Sequence, residues 1–203
     1  PGLKEFKLTA GQIKEIVEAK RGDGVPGLYM ALQNGRTDAV EAFLGALPGL
    51  KEFKLTADQI KDIVEAKDNN GTPGLHMALQ NGRADAVRVF LEALPRLKEF
   101  ELTADQIKDI LEAKKQNGTP GLFMALFGGY TDTVIAFLDA LPKFKSPQLL
   151  TSAQILEIAQ AKWQGIPGLY WANKNRHIVT EQGYLAALAR LDRTLAQIGA
   201  ISS

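Results

Sequence analysis

Apolar positions along the chain fall at helical spacing, and the spacing renews itself at a fixed interval. In residues 49–95, Ile60, Ile63 and Val64 form one stripe, and Val87, Phe90, Leu91 and Leu94 form another at i, i+3, i+4 and i+7. Thr56 with Gln59 three residues on makes a capping box, and Leu55 and Ile60 are spaced as a hydrophobic staple. Asp58 adds negative charge to the first turn, where the helix dipole favours it. Lys67 and Gly71 read as the end of this helix. Gly71-Thr72-Pro73-Gly74 then turns the chain into a short helix from Leu75, closed by Asn81-Gly82. Arg83-Ala84-Asp85 opens a longer helix that Pro95 ends. The pattern predicts three helices (capped, short and long) and contains no segment of strand period.

This unit is 47 residues long and recurs at 2–48, 49–95 and 96–142. The first two copies are identical at 36 of 47 positions. A degenerate fourth copy spans 143–188, and a capping helix is expected to run on to 203, with Ser202 and Ser203 frayed. The fourth copy gains one residue ahead of its cap, Thr151, and loses one before Pro167, so the helix is kept and its flanking loops absorb the change. A period of this length predicts an all-α fold, a single α-solenoid domain over 1–203 with curvature of either hand. Pro1 falls in the column of Pro48, Pro95 and Pro142, which predicts further repeats or another domain upstream. After Gly183 no proline follows the long-helix pattern. Leu188, Leu191, Leu195 and Ile198 extend it, with Arg190, Asp192 and Arg193 between them, as a polar terminal cap would require.

The run from Ala66 to Val87 (AKDNNGTPGLHMALQNGRADAV) resembles an ankyrin repeat. The family pattern is a loop with Asp and Gly, then T-P-L-H-x-A, a small polar pair, a Gly and a second helix. Here Thr-Pro comes one residue early, with Gly74 inserted, and the unit is longer by the capped helix. The resemblance therefore implies an ankyrin-like but all-helical array, with a helix standing where the family forms its β-turn finger. It implies protein binding through the concave face of the short helices and the neighbouring loops. Repeats of the P-G-L-x-M-A-L-Q-N-G kind also resemble modules of bacterial type III secreted effectors, which implies virulence and action inside a host cell.

Columns that stay fixed between copies are expected to be scaffold: Leu28/Leu75/Leu122, Ala31/Ala78/Ala125 and Phe43/Phe90/Phe137. Columns that vary nominate the surface. These hold Gln33, Asn34 and Arg36 in the first copy and Gln80, Asn81 and Arg83 in the second. Phe127 and Tyr130 replace the polar residues in the third, as interface anchors often do. Asn69 and Asn70 lie in the variable loop. His76 shares a column with Tyr29, Phe123 and Tyr170; the resemblance matches it to the family's structural histidine, and it is carried as a candidate contact too. Trp163 and Trp171 are either anchors or packing in the fourth unit.

The charge narrows the function classes. Lys and Arg number 24 against 23 Asp and Glu, a net charge of +1, which disfavours a phosphate-driven role. There is no cysteine, so disulfides and thiolate metal sites are excluded. No apolar run approaches a membrane span. No nucleophile, P-loop or metalloprotease motif occurs, and the two histidines, His76 and His177, lie in different units. Arg21-Gly22-Asp23 is the tripeptide that integrins read, but a freely varying loop gives it no weight. The expectation is a monomeric, non-enzymatic protein-interaction module with no cofactor. The alternatives are a helical-repeat nucleic-acid reader and the targeting domain of a larger effector enzyme.

Overall fold

The computed structural model describes residues 8–145 and 149–201, with the side chains of Ala200 and Ile201 left out; the fraying expected at Ser202 and Ser203 lies outside this range. The chain is predominantly helical. The capped helices are α1 (Ala10–Val17), α4 (Ala57–Glu65), α7 (Ala104–Glu112) and α10 (Ser152–Gln160). The short helices are α2 (Gly27–Asn34), α5 (Gly74–Gln80), α8 (Gly121–Gly128) and α11 (Gly168–Lys174). The long ones are α3 (Thr37–Ala46), α6 (Ala84–Ala93), α9 (Thr131–Ala140) and α12 (Ile178–Ile201). Each helix packs on its counterpart in the neighbouring unit: α1 on α4 on α7 on α10, α2 on α5 on α8 on α11, and α3 on α6 on α9 on α12. One contiguous core runs through all of them.

All four capping boxes form. Thr9, Thr56, Thr103 and Thr151 each accept the N3 amide on the hydroxyl, and the N3 glutamine returns a bond to the cap amide. Thr56→Ala is expected to cost about 1 kcal/mol, read in urea denaturation.

Three features depart from the expected unit. Pro48, Pro95 and Pro142 do not simply end the long helices; they sit in the first turn of 3-10 segments Leu47–Phe53, Leu94–Phe100 and Leu141–Phe144, where a missing N–H leaves nothing unsatisfied. The capped helix stops earlier than Gly71. Ala66, Ala113 and Ala161 take left-handed φ of 44°, 45° and 43° directly after it. An L-residue there costs about 1–2 kcal/mol, partly offset by burial of each alanine methyl.

The third departure corrects the finger. The added helix precedes a tight hairpin rather than replacing it. The amides of Arg21, Asp68 and Lys115 bond the carbonyls of Val25, Thr72 and Thr119 at 2.9, 3.1 and 3.1 Å. In the fourth unit the hairpin becomes a short antiparallel pair, Lys162–Trp163 (β1) with Ile166–Pro167 (β2). Asp68 Oδ1 accepts the amides of Asn70 and Thr72, and Gly71 supplies a φ of 69° to close the loop. In the first unit Arg21 and Asp23 pair with each other inside this hairpin.

The unit-to-unit contact has a knob and a notch. An ideal Cβ on Gly74, Gly121 or Gly168 would lie 2.9, 2.6 or 2.7 Å from Cδ1 of Leu32, Leu79 or Leu126 in the preceding unit. Only a glycine admits the leucine so closely. Beside it runs a ladder of ion pairs between successive capped helices: Lys14–Asp62 at 3.4 Å, Lys61–Asp109 at 2.9 Å and Lys108–Glu157 at 2.7 Å. Their acidic ends are exposed, so each contributes at most about 1 kcal/mol. The last unit drops both devices: Asn173 takes the leucine column, and Leu156 takes the lysine column. It is not the uniformly polar cap expected, because Tyr170, Ile178, Val179 and Leu185 remain exposed.

Candidate functional site

The variable columns lie along the C-terminal ends of the short helices and in the hairpins, and the structure divides them into two kinds. Some are spent on joining units. Asn81 Nδ2 and Arg83 Nε both donate to the Gln33 carbonyl, at 3.3 and 3.2 Å. Asn69 Nδ2 donates to the Asp23 carbonyl at 2.6 Å. Gln80 Oε1 accepts from Lys115 Nζ at 3.1 Å. Asn34 Nδ2 donates to the Met30 carbonyl of its own helix at 2.8 Å. These polar groups still reach solvent, but each already makes a hydrogen bond within the protein. Gln33 is half-buried, whereas Arg36 and Asn70 are exposed.

His76 is corrected: it is no contact residue. Its side chain is fully buried between units. The Ala113 carbonyl, 2.9 Å from Nδ1, can only accept, so Nδ1 carries the proton. Burial, with the nearby Lys115 charge adding to it, lowers its pKa to about 4. Tyr29 fills the same column one unit earlier, and its hydroxyl donates to Asp68 Oδ2 at 3.2 Å. Burial, reinforced by the Asp68 charge, pushes that phenol up to about 12. Phe123 in turn meets Trp163 edge-on, with ring centroids 5.7 Å apart. In the first three units the column is an inter-unit wedge whose chemistry changes while its packing role does not; in the fourth, Tyr170 is exposed.

Phe127 and Tyr130 behave differently. They are 41% and 40% exposed. The Tyr130 ring lies over Gly82 of the preceding unit, 2.6 Å from where a Cβ would stand, in the place that Arg83 takes over Gly35. Phe127 packs on Trp171 at 5.7 Å between centroids, and Tyr170 meets Trp171 at 5.6 Å. Lys174 Nζ stands 4.5 Å from the Trp171 ring centroid, within cation–π range. Phe127, Tyr170, Trp171 and Lys174 thus form an aromatic surface with a cation on it across the third and fourth units. Of its aromatics only Phe127, like nearby Tyr130 in sequence, stands at a column that is polar in the first two. Comparison of successive copies points to Phe127 and Tyr130; it leaves Trp171 open between anchor and packing and does not single out Tyr170 as surface, because the fourth copy is too degenerate to separate the two. Among the described residues no helix is long and apolar enough to cross a membrane. The chain matches no protein-family model, no curated protein and no solved structure.

Proposed function

We propose that the chain is a protein-interaction module, an ankyrin-like α-solenoid that engages a protein partner through the short-helix edge of its third and fourth units. The observation that carries this reading is the exposure of Phe127 and Tyr130, with Phe127 packed on Trp171 and Trp171 on Tyr170. Stacking like on like across every unit supports the solenoid reading, and the hairpin between capped and short helices supports the ankyrin likeness. Exposed aromatics grouped with a cation form the composition of an interface anchor. The first two units, with donors committed to unit junctions, act as the rigid mount.

The double variant Phe127→Ala, Tyr130→Ala tests this. Partner retention in a nuclease-treated pull-down is expected to fall by 2 kcal/mol or more, about 30-fold. Helicity should stay the same, with less than about 2 kcal/mol lost in urea denaturation, because both rings are half in solvent. Unchanged retention, or collapse of the fold, overturns the reading.

A further inference from the structure

The first unit keeps the glycine notch, the ladder carboxylate and the apolar positions by which an internal unit receives a neighbour, though Arg21 and Gly22 stand in the columns of Asp68 and Asn69, and the described residues place no neighbour on this face. Ile16 is 51% exposed, whereas its counterparts Ile63, Ile110 and Ile158 are 1%, 2% and 3% exposed. Ala39 and Ala46 are exposed; their counterparts Ala86 and Ala93 are buried. Among the described residues the notch of Gly27 is open: a Cβ there would meet the Ala19 carbonyl at 3.9 Å and no leucine. Glu15 holds the ladder position of Asp62 and Asp109, yet pairs with no lysine among the described residues. Arg36 holds the column of Arg83, which donates to the preceding unit's carbonyl, and makes no such bond.

We infer that the outer face of the first unit is a docking surface for one further unit of the internal type, joined ahead of it in the same polypeptide. The occupant is defined by its chemistry. It must bring a leucine for the Gly27 notch, a lysine for Glu15, and a glycine and a helix-end carbonyl for Arg36. The internal units carry this set as Leu32, Lys14, Gly35 and the Gln33 carbonyl. A second copy of this chain cannot supply it from its last unit, which offers Asn173, Leu156 and Arg176 in the leucine, lysine and glycine columns. The inference stands apart from the partner-binding reading, because it concerns the opposite end of the stack.

The test extends the full chain with a second copy of residues 2–48 placed directly ahead of Gly2, and follows amide hydrogen exchange in α1 and α2. Protection of both helices is expected to rise about tenfold or more over the unextended chain. In the extended chain, Gly27→Ala should erase that gain by blocking the leucine, and Glu15→Lys should reduce it severalfold. In the unextended chain, Gly27→Ala should leave exchange unchanged or slower, since an alanine there meets open space. Unchanged protection on extension, or full protection despite Gly27→Ala, overturns the inference. So does concentration-dependent dimerisation of the unextended chain that Gly27→Ala abolishes, since a second copy would then be the occupant.

Discussion

Phe90→Ala is expected to destabilise the chain by about 3–5 kcal/mol, the range for deleting a fully enclosed phenylalanine. Phe90 lies on the long helix α6, has no exposed surface, and belongs to the core that joins successive units. Removal of the ring leaves a cavity that the long helices α3 and α9, on either side of α6, cannot collapse into without breaking their own packing. The total stability of a domain of this size is about 5–15 kcal/mol, so the variant should be marginal at 37 °C. Phe43→Ala provides the internal comparison. It occupies the same column but is only half-buried, so its cost should be clearly smaller. Urea denaturation of both variants measures the difference; equal costs would show that the column is not an inter-unit core.

Acidification should weaken the fold through His76. Its folded pKa of about 4 lies below the unfolded reference of 6.5, so the unfolded chain binds the extra proton between those values. Stability is full above pH 6.5 and is lost as pH falls through that window, by about 2 kcal/mol at pH 5. His76→Phe places in the second unit the residue that the third already uses, Phe123, and should flatten the pH dependence between 7.5 and 5. Denaturation midpoints at the two pH values, in both chains, decide it. A variant that keeps the full slope would move the cause to another group.

The contrast between these residues shows what the sequence made readable. Phe90 was legible because the copies agree at its column, and agreement within one chain isolates what packing demands. His76 was legible in part: the resemblance matches it to a structural histidine, while the variation of its column nominates it as a contact, and burial decides for the first. A wedge between units tolerates Tyr, His or Phe provided each fills the gap, even though His76 leaves its Nε2 buried without a hydrogen-bond partner among the described residues. The capping boxes were legible because they are local, four residues deciding their own bonds. The left-handed alanines and the surviving hairpin were not, since Ala66 carries no turn signature yet adopts φ of 44° directly after the capped helix. The glycine notches were hidden for a related reason: Gly74 reads as turn punctuation, while its function is to admit Leu32 of another unit. The aromatic surface was half visible, at the columns where copies can still be aligned.

The knob-and-notch junction has a consequence for how the chain reaches this structure. Leu32 seats on Gly74 and Leu79 on Gly121 through nearly the same geometry, so during refolding Leu32 can also seat on Gly121. That pairing loops out the whole second unit, and loop closure penalises it only weakly, at about 0.6 kcal/mol per doubling of loop length. Fidelity then rests on the few junction residues that differ. Tyr29 finds its acceptor in Asp68, but Lys115 stands there one unit later; Asn69 reaches the Asp23 carbonyl where Gln116 would come instead. Skipped-unit intermediates should therefore appear as a slow phase in refolding, and lengthen in lifetime as Tyr29 and Asn69 are replaced.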